Sequence, residues 1–133
     1  MTALDARRIP RLAIKENVLG RGVYSCDYIA RGQLIEAAPV IFFPKYAATS
    51  LEVVGGPQNL GDYVWHWSTK VAGKRVEALV MGVASFMNHS NQPNVNSEYN
   101  TIKRAMSFHA AREIFPDEEL LIDYGEGAER FKQ

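Results

Sequence analysis

The stretch Ser85-Phe86-Met87-Asn88-His89-Ser90-Asn91-Gln92-Pro93-Asn94-Val95 constrains the fold of this chain more than any other. It sets side-chain amides, an imidazole and a proline turn between two apolar segments. Ahead of it Val76, Leu79, Val80, Val83 and Phe86 recur at roughly helical spacing, which predicts an apolar helical face anchoring a polar far end. Gln92-Pro93-Asn94 ends any helix, because proline has no amide hydrogen and restricts the residue before it. On local chemistry alone the stretch also reads as a buried Asx turn, in which Asn88, Asn91 and Asn94 satisfy backbone groups and nothing more.

A chain of 133 residues fits one domain with a core of its own. Fifteen basic and fifteen acidic residues leave no net charge, and no charge run suggests a nucleic-acid arm or an acidic tail. The single cysteine, Cys26, rules out an intrachain disulfide and a cysteine-rich zinc site, and favours a reducing compartment. Met1 to Arg11 holds no apolar signal region, and the apolar run around Ala78 to Ala84 falls far short of the ~20 residues that span a bilayer. A soluble intracellular protein, cytoplasmic or nuclear, is therefore expected.

Leu12 to Ile14 opens a strand, and Val18-Leu19-Gly20-Arg21-Gly22-Val23-Tyr24 follows with two glycines one residue apart. Such a pair lets backbone approach a ligand or another strand, and it serves equally in a plain turn. It is no dinucleotide-binding fingerprint: Ser25 stands where the third glycine belongs, and no helical pattern follows. Gln33 to Phe43, with Pro39 inside, predicts a strand near a sheet edge or two short strands after a turn at Arg31-Gly32. Small and polar residues from Pro44 to Pro57 predict a surface insertion able to bind partners. Asp62 to Trp67 alternates as a strand does, placing Tyr63, Trp65 and Trp67 on one face, for core packing or a ligand. Lys70 to Arg75 predicts a hairpin turn, Ile102 to Ala111 a strand, Phe115 to Glu118 a turn, and Glu119 to Tyr124 a last short strand.

The result is a compact, mainly β domain whose polar density falls at Asn88 to Asn94 and Asp123-Tyr124. His66, His89 and His109 show no paired ligand spacing, so no metal site is expected. A serine hydrolase would use Ser90 or Ser85, but no nucleophile elbow presents either hydroxyl. Asn88-His89-Ser90 also satisfies the glycosylation sequon, which matters only in a secreted chain.

Three segments in this order, Gly20-Arg21-Gly22-Val23-Tyr24, Asn88-His89-Ser90 with Pro93-Asn94, and Glu119-Leu120-Leu121-Ile122-Asp123-Tyr124, carry a resemblance. From about Ile14 to Tyr124 the chain resembles the SET-domain protein-lysine methyltransferases. The resemblance implies a mainly β, SET-type fold of several short β-sheets with few short helices, in which the C-terminal segment threads under a preceding loop in a knot-like arrangement. Residues 1–133 would form a single domain, with a variable insertion at about 44–78 and a short tail at 125–133.

The same resemblance implies S-adenosylmethionine as cofactor on one face and a target lysine entering by a channel from the other. Backbone around Leu19, Gly20, Arg21 and Gly22 would hold the methionine end, Asn88 the amino-acid portion, and the His89 backbone the adenine edge. Tyr63 would be a further cofactor contact, and Phe131 would cover the adenine. Tyr124 matches the catalytic tyrosine, and Tyr24, Trp65 and Ile122 would line the lysine channel. Asn91 stands where many histone-directed members have a zinc-binding cysteine, so no zinc-bound lid is expected. Ile122 replaces an aromatic that limits how many methyls fit, and Ala37 replaces a channel tyrosine in several members. The expected activity is methyl transfer to a lysine nitrogen in a protein, a histone or another basic protein. The alternative is a non-catalytic SET-like module that binds protein. A protein substrate is the implied partner, with no direct nucleic-acid or membrane contact, and a homodimer is left open.

Overall fold

Short apolar runs punctuated by glycine, proline and asparagine form strands throughout the chain. The computed structural model describes residues 9–55 and 59–125. Strands β1 (Leu12–Asn17) and β2 (Gly20–Ser25) form an antiparallel hairpin closed by the pair Asn17 and Gly20. The Asn17 side chain shapes its turn by accepting the Leu19 N–H at 2.9 Å, which is what an asparagine at a turn entry does. Strand β3 (Leu34–Pro44) is the longest. After it come two 3-10 turns, Ala47–Ser50 and Leu60–Tyr63, and the two-residue strand β4 (Trp65–His66). Then follow β5 (Val76–Val80), a 3-10 turn at Val83–Phe86, β6 (Asn88–His89), β7 (Val95–Asn100), β8 (Ala105–Ala110) and β9 (Glu119–Ile122).

Two sheets result, one in the order β1-β2-β9-β6 and the other β4-β5-β3-β8-β7. In the first, β9 runs antiparallel to β2 and parallel to β6. A late strand thus fills the gap between two earlier ones, and this is the knot-like threading that the resemblance implies. In the second, β3 is central: its first half pairs with β8 as far as Pro39 and Ala105, and its second half pairs with β5 from Val40 and Val80 onward. Pro39, which has no N–H, stands where one partner gives way to the next. The strand is therefore continuous, although each half has its own neighbour, and the expected edge position is corrected.

Three further expectations change. Val76 to Phe86 is not a helical face but β5 followed by a 3-10 turn, with Val76, Ala78 and Val80 buried at strand spacing. Leu79 on the opposite face is also apolar because it lines a groove, and apolar residues on both faces of a strand imitate helical spacing. Asp62 to Trp67 is a 3-10 turn and a two-residue strand rather than one strand. Its aromatics diverge: Tyr63 meets Phe86, Trp65 meets Phe108 and Tyr124, and Trp67 meets Phe42 and Tyr99. Finally, β8 begins only at Ala105, because Thr101 to Arg104 turn the chain back from β7. The expected hairpin turn near Gly73 is present, with Val71 and Lys74 bridged across it.

Phe108, Ile29, Ile35, Met87, Ile114, Leu120 and Ile122 fill the space between the sheets. One asparagine joins them. Asn94, 1% exposed, donates its Nδ2 to the Glu119 carbonyl at 2.9 Å and accepts the Leu121 N–H on Oδ1 at 2.8 Å. Its backbone N–H reaches the Leu121 carbonyl at 3.1 Å. The side-chain amide thus stands in for a strand neighbour along β9, and a buried polar group is tolerated because its bonds are made.

Candidate active site

The three motifs meet around β9. Asn88, at the start of β6, donates Nδ2 to the Arg21 carbonyl at 2.9 Å and to Glu119 Oε2 at 2.8 Å. The same carboxylate oxygen accepts from Asn17 Nδ2 at 3.3 Å, and Asn17 Nδ2 lies 3.2 Å from the Tyr24 hydroxyl. Gly22 leaves room for this: a Cβ there would sit 2.3 Å from Glu119 Oε2 and 2.6 Å from Asn17 Nδ2. Gly20 supplies a φ of +112° at the end of the hairpin turn, a conformation that a side chain disfavours. Leu19 and Arg21, before and between these glycines, are exposed.

Tyr124 lies just past β9. Its hydroxyl donates to the Met87 carbonyl at 2.6 Å and its backbone N–H donates to His89 Nδ1 at 3.0 Å. The ring stands 5.2 Å from the His89 ring and 6.5 Å from that of Trp65. Burial, and then the negative charge of Glu119, push the phenol up to about 12. It is therefore a neutral hydroxyl near neutrality, able to accept through its lone pairs while its proton is held by Met87. An amine placed there could donate an N–H to the phenol oxygen and keep its own lone pair for attack.

Beside Arg21 a groove of about 390 Å³ opens between Tyr63, Phe86, Leu60, Leu79 and Met81, a size ordinary for a small-molecule site. Glu36 shapes one wall by accepting the Val83 and Ala84 N–H groups at 3.1 and 2.9 Å, which fixes the turn leading into Phe86 and Asn88. The groove, the glycine hairpin and the Asn88 amide lie together, as an amino-acid-bearing cofactor requires. Among the described residues no helix is long and apolar enough to cross a membrane.

Residues 20–125 match the SET domain family. The chain belongs to the SET-domain family. Lysine methylation with S-adenosylmethionine as donor is the activity that follows from membership. This SET domain is 35% identical over 107 residues to the Schizosaccharomyces pombe histone-lysine N-methyltransferase specific for H3 lysine 37, across 80% of this chain and 67% of that protein. It superposes with a TM-score of 0.66 on a Plasmodium falciparum protein assigned to the histone methyltransferases, at 28% identity, covering 90% of this chain and 96% of the other. The Chaetomium thermophilum polycomb repressive complex 2 bound to S-adenosylmethionine shares the fold, with a TM-score of 0.67 and 15% identity over 90% of this chain and 16% of that one.

Of the residues singled out in the sequence of this SET domain, Asn88, His89, Tyr124, Arg21 and Gly22 are brought together. Tyr63 lies beside Arg21 in the lining of the groove, its hydroxyl 3.5 Å from the guanidinium. Trp65 reaches Tyr124, whereas Tyr24 bonds Asn17 and takes Lys15 Nζ over its ring at 5.3 Å. Ile122 is 2% exposed and packs in the core. Phe131 lies outside the described residues. Sequence reading assigned no role to Glu119, which binds Asn88 and Asn17. Its one signal was a Glu118-Glu119 pair at the start of a strand, and pairing alone does not say which carboxylate turns inward.

Proposed function

We propose that this chain transfers the methyl group of S-adenosylmethionine to a lysine ε-nitrogen in a basic, histone-like protein segment, acting as one SET unit inside the cell. The placement of the neutral Tyr124 phenol between Trp65 and His89 carries the reading. The histone-directed relative at 35% identity supports the substrate class. When bound, the cofactor supplies an electrophilic methyl on a sulfonium. The chain's own residues bind and orient. Backbone of Leu19 to Gly22 and the amide of Asn88 hold the donor's amino-acid end, the His89 backbone meets its base, and Tyr63 closes the groove. Trp65 forms a wall beside Tyr124, with Ile122 supporting it from the core.

Tyr124 orients the acceptor. With its proton on the Met87 carbonyl, the phenol oxygen accepts one N–H of the neutral amine, so the nitrogen lone pair is directed toward the methyl. A phenol held up to about 12 does not act as a base at neutral pH, so the ammonium, ordinarily ~10.4, loses its proton to water. A dry site and the like charge of the sulfonium assist that loss. Alignment supplies most of the acceleration, and losing it costs on the order of 100-fold. Incubating the protein with radiolabelled S-adenosylmethionine and core histones should label histone lysines, and Tyr124→Phe should lower kcat by about 100-fold with cofactor affinity intact. Label on no lysine, or unchanged turnover in the variant, would remove this assignment.

A further inference from the structure

The fold gathers cations that the chain spreads over separate segments. Lys45, Lys70, Lys74, Arg75, Lys103 and Arg104 are six of the fifteen basic residues, nowhere more than two in succession. The stretch from Ser68 to Arg75 crosses one end of the larger sheet, from the turn between β7 and β8 to the start of β5. Trp67 meets Tyr99 with ring centres 4.5 Å apart, Thr69 Oγ1 lies 2.7 Å from Thr101 Oγ1, and Val71 and Lys74 exchange backbone bonds at 3.0 Å. On one side Lys103 and Arg104 sit in the turn, and the Arg104 carbonyl accepts the Val40 N–H at 3.0 Å. On the other, the Arg75 carbonyl accepts the Lys45 N–H at 3.0 Å. Val40 and Lys45 are five residues apart, so the row spans about 17 Å at ~3.3 Å per residue.

Five of the six side chains are exposed. Among the described residues none of the six forms an ion pair. Glu77, two residues beyond Arg75, is committed to the Tyr46 N–H at 2.9 Å. The ion pairs of Arg11, Lys15 and Arg112 are made with Asp27, Asp117 and Glu118, away from this row. A net charge of zero therefore conceals one basic flank. Hydroxyls join it: Trp67 Nε1 donates to Thr101 Oγ1 at 3.0 Å, so Thr101 can pass its own proton to Thr69. That leaves the Thr69 hydroxyl hydrogen for an acceptor outside the protein.

We propose that this row binds the phosphate backbone of double-stranded nucleic acid without reading its sequence. Lysine, arginine and hydroxyl side chains are the groups that meet phosphates, and about 17 Å covers about five base-pair rises. Among the described residues the helical elements are all four-residue 3-10 turns, so none serves to read base edges from the major groove. Ile102 and Tyr46, both exposed, stand at opposite ends of the row, and a bilayer meets no continuous apolar face there. A basic, histone-like segment is repelled by the same charges, so the row serves a part of the target other than the one that bears the lysine. A target in which basic protein lies on nucleic acid presents both. The expectation of no nucleic-acid contact followed from the sum of the charges and the absence of a run, whereas separation of charge in space is what a polyanion meets.

Fluorescence anisotropy of a labelled mixed-sequence DNA duplex, titrated with the intact chain, tests this with neither donor nor substrate lysine present. The expected Kd is about 1–100 μM at physiological salt, and the logarithm of the binding constant should fall with that of salt with a slope of about −5 for six contacts. The triple variant Lys70→Gln, Lys74→Gln, Lys103→Gln should bind at least about 10-fold more weakly and lose about three units of that slope. Arg11→Gln, Arg31→Gln, Arg112→Gln removes the same charge elsewhere and should stay within about threefold of wild type, with the slope kept. Melting curves identify a triple variant that has lost its fold, and the single changes Lys70→Gln and Lys103→Gln then decide, each lowering the slope by about one unit. No binding by the wild type at low salt, a slope unaltered by the row substitutions, or equal losses in the two triple variants would overturn the proposal. Tighter association with phosphatidylserine-containing vesicles than with the duplex would assign the row to a membrane and overturn it as well. The methyl-transfer reading stands or falls separately, on labelling of histone lysines.

Discussion

At the level of single residues, two groups inside the protein earn their positions through bonds that no other side chain would make in the same way. Tyr124 favours its neutral form when folded, so its phenol rises from 10.0 to about 12. The sign follows directly: the contribution to stability is whole below pH 10 and is lost as pH rises through 12. Alkaline unfolding of the wild type should therefore steepen across that window, and Tyr124→Phe should lack the extra steepness in denaturant titrations run at stepped pH. Asn94 is the second group. Replacing it with alanine strands the Glu119 carbonyl and the Leu121 N–H together, which costs about 2–4 kcal/mol by urea unfolding. In hydrogen exchange, the Leu121 amide should lose protection more than its neighbours. Both residues stood out in the sequence because amides and a tyrosine gathered in short motifs. Their bonding partners did not, since Met87 and Glu119 are separated from them in ways that only the folded chain closes.

At the level of elements, β9 does the most, and four residues suffice. It pairs on both edges, contributes Leu120 and Ile122 to the core and Glu119 to the hydrogen-bonded cluster with Asn88 and Asn17, and delivers Tyr124 beyond its end. Leu120→Ala should destabilise the protein by about 2–5 kcal/mol, the usual range for an aliphatic side chain fully removed from water. A thermal melt showing less than 1 kcal/mol would mean the strand is held chiefly by its ladder. The period of β9 was readable, and so was the hairpin near Gly73, whereas the glycine pair of Gly20-Arg21-Gly22, read as a turn or a close approach, opens strand β2. Strand β5 was not: Val76, Leu79, Val80 and Val83 face a core on one side and a groove on the other, which blurs two-residue spacing into a helical one. Nor was the divergence of Tyr63, Trp65 and Trp67, because the 3-10 turn at Leu60–Tyr63 breaks the alternation that the letters display. Local pattern describes one segment, while burial is decided by what packs against both of its sides.

At the level of the whole molecule, the two sheets share one interior, and the candidate site lies where β9 meets β2 and β6. Closure depends on contacts far apart in sequence, such as Val23 with Leu120 and Asn17 with Glu119, and folds dominated by such contacts form slowly. A chain cut after residue 117 should leave unprotected the β2 amides on the edge that faces β9 and bind no S-adenosylmethionine, whereas excising the exposed tip around Val54 should be tolerated. Strands β2 and β6 both precede β9 in the chain. Until residues 119–122 dock, the edges of β2 and β6 that β9 covers lack their strand partner, and an unpaired edge is a template to which another extended peptide can add.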